Sequence, residues 1–323
     1  MDKIHIKLLT EEKKQIWDDF VDDSNNGTIF HKQKFLSYHK NKFKDNEHHL
    51  LFYQGKKLIS VLPLAIFESE GGKIAKSPYG ASFGGFVDKK AIYSDISRIV
   101  KTFKEYAIEN NYSTIIITLP PLTYNQQPNN SQDFCLLKER FQLNNRELTS
   151  IIPLYNESST KIFDSYKYSC RRKIRKAIKN NFITKNIENM HEFYDLLLQN
   201  HNKFKKTPTH SFDELRELKK LFPEDINIFG VYSGNELTAG VLCISMNNKV
   251  VLSFYICHQK QFDNYGVTAL ALNSAIIWAS ENGFKFFDLG TSSLNMVANE
   301  GLLSFKESFG STAIFRDTYT LEL

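Results

Sequence analysis

The sequence predicts a mixed α/β protein of two domains, on three observations. Its 323 residues amount to about two domains of ordinary size. Apolar residues recur with strand and helix periods in the order strand, strand, helix, strand. That order occurs twice, once on each side of a charged middle segment. The expected domains are residues 1–155 and 156–323, each a mixed central sheet flanked by helices, with a basic helix at 165–180 by the junction.

In the first copy, Leu51-Phe52-Tyr53 and Leu58 to Leu64 flank a turn, Gln54-Gly55-Lys56-Lys57, which predicts a hairpin. Ile96, Ile99, Val100, Phe103, Tyr106 and Ala107 then recur at helical spacing. The β-branched run Thr114 to Thr118 follows, and Pro120-Pro121 stops it. In the second copy, Ile228 to Tyr232, the turn Ser233 to Glu236, and runs Leu237 to Ser245 and Val250 to Cys257 predict three strands. A helix over Val267 to Ser280 ends at Gly283, and Phe284 to Gly290 forms the next strand. Gly55 corresponds to Gly234, and Glu109-Asn110-Asn111-Tyr112 to Glu281-Asn282-Gly283-Phe284, at nearly equal separations. The first helix is amphipathic. The second is apolar almost all round, which predicts burial on both sides.

An aromatic share of 13%, with 26 Phe and 15 Tyr, excludes a disordered or low-complexity chain. The net charge of +5 is small, so an anionic partner must be met by a local basic patch. The stretch Met1 to Lys14 has no apolar segment behind a basic head, and no apolar run approaches the roughly 20 residues of a membrane span. A cytoplasmic location with no transmembrane segment is therefore expected. Cys135, Cys170, Cys243 and Cys257 are widely spaced with no C-x-x-C pair, which favours buried thiols over disulfides or a metal site.

Gly80-Ala81-Ser82-Phe83-Gly84 matches the G-x-S-x-G pattern of serine hydrolases. A nucleophile elbow needs a strand directly before the serine and a helix directly after it. Lys76-Ser77-Pro78-Tyr79 and Gly85-Phe86-Val87-Asp88 supply neither, so a glycine-rich loop is expected. The sequence contains no G-x-G-x-x-G, no Walker loop and no H-E-x-x-H. Arg171, Arg172, Lys173, Arg175, Lys176 and Lys179, interleaved with Ile174, Ala177 and Ile178, form a helix with one apolar face and the rest cationic. Arginines there suit the phosphates of a nucleotide, a coenzyme or tRNA, and a solvated charged face is the plainer alternative. The turn His258 to Gly266, with Asn264, Tyr265 and Gly266 at its end, precedes the apolar helix, whose first N–H groups can hold an anion or polarise a carbonyl. Asp288, near the end of the following strand, is a candidate functional acid or a turn-forming residue.

Phe286-Phe287-Asp288-Leu289-Gly290 followed by Gly301-Leu302, Phe305-Lys306 and Phe309-Gly310 resembles the end of FemAB-type aminoacyltransferases of the GNAT superfamily, including peptidoglycan-bridge enzymes and BioF2-like acetyltransferase domains. Ile29-Phe30-His31 with Phe35, Pro63-Leu64 and the helix from Arg171 to Ala177 fit the same pattern. The resemblance spans most of the chain. It implies two tandem GNAT-like domains, with the acyl donor on the second and the acceptor in a groove between them. It also implies a donor-channel role for Lys306 beside Phe305, with Lys306 and Asp288 as catalytic candidates. Asn264, Tyr265, Gly266 and Phe305 would contact the donor, and Arg171, Arg172, Arg175 and His31 the substrate. The sequence departs from the pattern at two places: Gly266 stands alone where coenzyme A enzymes have a glycine-rich loop, and no heptad arm occurs.

The expected activity is transfer of an aminoacyl or other acyl group from an activated donor to an amine or hydroxyl of a cell-envelope precursor. The donor is aminoacyl-tRNA or acyl-CoA, with no tightly bound cofactor. The acceptor is a small or lipid-linked molecule, and tRNA is a candidate partner. Two alternatives stand beside it: an acetyl-CoA-dependent N- or O-acetyltransferase on a sugar, peptide or lipid intermediate, and a non-catalytic RNA- or anion-binding module.

Overall fold

In the computed structural model, which describes residues 3–39, 42–155, 157–202 and 207–323, the chain forms two compact units. One contains the chain up to Leu148 together with Ile314–Leu323, and the other contains Thr149–Ala313. The expected boundary partner Asn156, like Met1 and Asp2, lies outside the described residues.

The first unit begins with β1 (Ile4–Leu8), α1 (Lys14–Asp22) and α2 (Gln33–Leu36). The hairpin expected around Gly55 follows as β2 (Leu50–Gln54) and β3 (Lys57–Leu62), with Gly55 at φ +57°. A second hairpin comes next, β4 (Ala65–Ser69) and β5 (Gly72–Ser77). Sequence reading passes over it because Glu68 to Lys73 is polar and glycine-rich and only Ala65 and Ala75 are buried apolar positions. A two-residue strand, β6 (Val87–Asp88), precedes α3 (Tyr93–Glu109), which buries Ile96, Ile99, Val100, Phe103 and Ala107 along one stripe. Then come β7 (Tyr112–Thr118), α4 (Ser131–Lys138) and β8 (Gln142–Pro153), the last running from the first unit into the second.

One sheet of this unit has the order β1-β2-β3-β6 and is antiparallel throughout. In another, β4, β5 and β7 lie side by side, with β5 and β7 parallel and α3 between them in the chain. The strand Thr312–Glu322 pairs antiparallel with β7, from Thr318 opposite Thr118 to Glu322 opposite Thr114. Ser82 lies in an irregular loop between β5 and β6, with no strand directly before it and no helix directly after. This is the glycine-rich loop the sequence favours over a nucleophile elbow.

The second unit opens with two helices, α5 (Ser159–Ser165) and α6 (Tyr168–Lys179), where the sequence suggests one basic helix over 165–180. Tyr166 and Lys167 are extended and divide them. Then follow β9 (Ile183–Asn186), α7 (Met190–Asn202), α8 (Phe212–Leu221) and three strands: β10 (Ile226–Ser233), β11 (Glu236–Ser245) and β12 (Val250–His258). Gly234 in the β10–β11 turn has φ +58°, matching Gly55 in the first copy. After α9 (Val267–Glu281) come β13 (Phe286–Thr291), the short hairpin β14 (Ser293–Leu294) and β15 (Val297–Ala298), α10 (Glu300–Glu307) and β16 (Thr312–Glu322).

Strands order as β8-β13-β12-β11-β10-β9, with only the β12–β13 pair parallel. Helix α9 lies against β10, β11 and β12 on one side and against α5 and α6 on the other. Val267, Leu270, Ala271, Leu272, Ala275, Ile276 and Ala279 are all buried in the core cluster there, as an all-round apolar helix requires. Helix α7 packs on β11 and β12. The Phe193 ring of α7 closes over Gly240, where a Cβ would stand 2.9 Å from it. All four cysteines are free thiols in buried positions.

Candidate active site

The parallel pair at the middle of the second unit is short. Strand β12 meets β13 only at Val250–Phe286, Val251–Phe287 and Leu252–Asp288. Ser253 Oγ still donates to the Asp288 carbonyl at 3.2 Å, but beyond it the two strands part, and β12 runs on to His258 paired only with β11 among the described residues. The result is a wedge at the carboxyl ends of two parallel strands joined through α9, the place where ligands collect in sheets of this connectivity. Among the described residues no strand pairs with β12 on that side beyond Leu252, the side an extended ligand would meet as an added strand does.

The end of β13 is built by Asp288 and Lys306. Asp288 is buried, and its Oδ1 accepts hydrogen bonds from Thr149 Oγ1 at 2.8 Å and from the Gly290 N–H at 2.6 Å. A carboxylate bonding the amide two residues on fixes a turn, and Gly290 takes the φ of +75° this turn demands. Asp288 therefore shapes the backbone at the mouth of the wedge. Lys306, on α10, is only 3% exposed. Its Nζ donates to the carbonyls of Gly290 and Thr291, both at 2.8 Å, tying α10 to the end of β13. Neighbouring Phe305 turns inward and packs edge-on to Phe309, with ring centroids 5.4 Å apart.

The loop before α9 and the basic helix, separate features of the sequence, meet in the fold. Lys176 Nζ donates to the Asn264 carbonyl at 2.7 Å and lies 5.6 Å from the centre of the Tyr265 ring. Gly266 adopts φ +81°, and a Cβ there would stand 2.4 Å from the Lys173 carbonyl oxygen. Only glycine lets α6 approach so closely. No side chain caps α9 and no acid lies in its first turn, so the positive end of this 15-residue helix is left for an anion.

The arginines of α6 are divided in their roles. Arg171 donates to the Asp164 backbone carbonyl at 3.1 Å and stands 3.7 Å from its carboxylate. Arg175 stacks over Phe163 at 5.3 Å, and Arg172 is exposed. His31 belongs to the first unit and has no exposed surface. Its Nδ1 bonds the Thr28 hydroxyl at 2.9 Å and accepts from the Thr28 N–H at 3.2 Å, closing the turn before α2. Burial pushes its pKa down to about 4.

Sequence reasoning overlooks another group on β12. Tyr255 lies one residue past a bulge: Leu242 faces Tyr255 and Cys243 faces Ser253, so Phe254 is the extra residue. The Tyr255 hydroxyl is 2.7 Å from His210 Nδ1. Apolar alternation marks β12 as a strand, but a bulge and a contact across 45 positions leave no periodic trace.

Residues 164–301 match the family model of the acetyltransferase (GNAT) domain. A search of curated proteins finds no match in sequence. Among solved structures, that of FemX superposes with a TM-score of 0.72 at 14% identity, covering 99% of this chain and 97% of that one. The C-terminal domain of an Agrobacterium fabrum protein assigned as a lysylphosphatidylglycerol synthetase gives 0.61 at 10% identity, covering 96% and 91%. A tandem GNAT protein from the clavulanic acid biosynthesis pathway gives 0.56 at 9% identity, covering 99% and 98%.

Proposed function

Since residues 164–301 match the acetyltransferase (GNAT) family model and the fold is shared with FemX, we propose that the chain is a FemAB-like acyltransferase that moves an aminoacyl or other acyl group from an activated donor onto an amine or hydroxyl of a cell-envelope precursor. The observation that carries this reading is the wedge between β12 and β13 with the uncapped N-terminus of α9 beside it. The donor's extended arm lies along the open edge of β12. Its phosphates meet the first N–H groups of α9, Lys176 and Arg172. Amide groups of the open strand edge polarise the donor carbonyl and stabilise the oxyanion that forms when the acceptor attacks. Asp288 and Lys306 hold the end of β13 in the shape this requires.

A cell-envelope acceptor is supported by the family resemblance and by the fold shared with a protein assigned as a lysylphosphatidylglycerol synthetase, whose name couples an amino acid to a lipid. Among the described residues no helix is long and apolar enough to cross a membrane. A lipid-linked acceptor would then be reached at a membrane surface.

A second reading, an acetyl-CoA-dependent N- or O-acetyltransferase, is favoured by the acetyltransferase family model over 164–301. Donor binding separates the two. A ligand that binds only the folded state raises the melting temperature with its concentration. A rise with acetyl-CoA alone favours the acetyltransferase, and a rise with aminoacyl-tRNA alone favours aminoacyl transfer. If neither donor shifts the transition, and neither is consumed with any amine or hydroxyl acceptor, both readings fall.

A further inference from the structure

Where β12 runs past the end of its pairing with β13, the face toward α7 carries a hydrogen-bonded pair, Tyr255 and His210. Tyr255 Oη and His210 Nδ1 are 2.7 Å apart. His210 is 8% exposed and sits at the entrance to α8, where the Tyr194 hydroxyl donates to its carbonyl at 3.2 Å. The Phe254 ring, displaced by the bulge, packs 5.1 Å from the rings of both His210 and Tyr255. His201 of α7 lies 6.3 Å from Tyr255. Among the described residues, titratable groups beside the pair include Tyr194 and His201, both on α7, and Tyr194 in turn feels Glu214 of α8. Burial raises the pKa of the Tyr255 phenol, which keeps it protonated at neutral pH.

An acyltransferase needs a route for the proton that the attacking nucleophile loses. We propose that Tyr255 and His210 are that route, with Tyr255 touching the acceptor and His210 receiving the proton behind it; this rests on the acyl-transfer reading above. The acceptor nitrogen attacks the donor carbonyl carbon and the C–N bond forms. The nitrogen gives its proton to Tyr255 Oη while the phenol's own proton passes to His210 Nδ1. The C–S bond of a thioester donor, or the C–O bond of an ester donor, then breaks, and the leaving group takes a proton from water. The imidazolium returns its proton to solvent, and tyrosine and histidine end as they began. The distance and the burial of His210 supply the alignment, and the strand register places Tyr255 three residues past the last β12–β13 pair, at Leu252.

The relay requires His210 Nδ1 to be the acceptor, with the neutral ring protonated on Nε2. Nitrogen-15 NMR of the full chain labelled at histidine reads this directly. An Nδ1–H tautomer at neutral pH overturns the proposal whatever the donor. Kinetics with acetyl-CoA give the second readout, comparing ethanolamine, largely protonated at neutral pH, with hydroxylamine, which is largely unprotonated. Tyr255→Phe and His210→Gln are expected to slow transfer to ethanolamine by about 100-fold, the usual scale of acid–base catalysis, and transfer to hydroxylamine far less. Equal loss with both nucleophiles marks a structural role, and wild-type rates remove the pair from the reaction. Either result overturns the relay. A wild-type protein inert with acetyl-CoA speaks against that donor, and the tautomer then decides the relay alone.

Discussion

Lys306, a catalytic candidate in the sequence, carries structure in the fold. An ammonium buried against two carbonyls cannot be removed without leaving both acceptors unpaired, at a cost of about 1–3 kcal/mol for each. Lys306→Met keeps the volume and is expected to lower stability by about 2–4 kcal/mol, read from urea denaturation. Turnover per folded molecule is the separate question. If it stays at the wild-type value, Lys306 holds β13 and takes no part in transfer. The buried histidines give a pH signature. His31, pushed down to about 4, and His49, pushed down to about 3, are both neutral in the folded state because burial disfavours their charge. The unfolded chain binds protons on them below about pH 6.5 and the folded chain does not. Their contribution is therefore complete above pH 6.5 and is lost as pH falls toward 4, amounting to about 3 kcal/mol for His31. Asp88 and Asp133, whose pKa values burial raises, act in the opposite direction. The measurement is consequently a difference: His31→Leu should flatten the fall in denaturation midpoint between pH 7 and pH 4, and an unchanged slope would reject the assignment.

The strands and helices were the most legible part of the sequence, because burial writes periodicity into it. Helix α9 was readable as enclosed on both sides from ten apolar letters, and the turns at Gly55 and Gly234 from their flanking strands. The β4–β5 hairpin was not, since its polar turn carries no apolar alternation. The meeting of Lys176 with Asn264 was not either, because 88 positions separate them and nothing local records a contact between elements. Gly266 tests that meeting. Gly266→Ala forces a Cβ against the Lys173 carbonyl and adds a left-handed strain of about 1–2 kcal/mol, so it should destabilise the protein and weaken donor binding. Gly234→Ala is the control, with φ +58° but nothing within 4 Å of the added atom. It should cost only the backbone strain. Equal losses from the two substitutions would show that the α6–α9 approach has no energetic weight.

At the scale of the whole chain, the repetition of strands and crossover helix was visible in the sequence, and the path of the chain between units was not. A strand late in the chain that completes an earlier unit looks like any other run of alternating residues, and β16 reads Ala313-Ile314-Phe315-Arg316-Asp317-Thr318-Tyr319 with no mark of its partner. Its partner is β7, where the Thr118 and Thr318 hydroxyls, 200 positions apart, lie 2.8 Å from each other. Arg146 and Asp317 add a two-point ion pair at 2.8 and 2.7 Å, and Tyr319 bonds Asp133 at 2.9 Å. During synthesis the ribosome therefore delivers every residue of Thr149–Ala313 before the first unit receives the strand that closes its β7 edge. The first unit must wait with that edge open, exposed to mispairing and to chaperones, while the later one can already be complete.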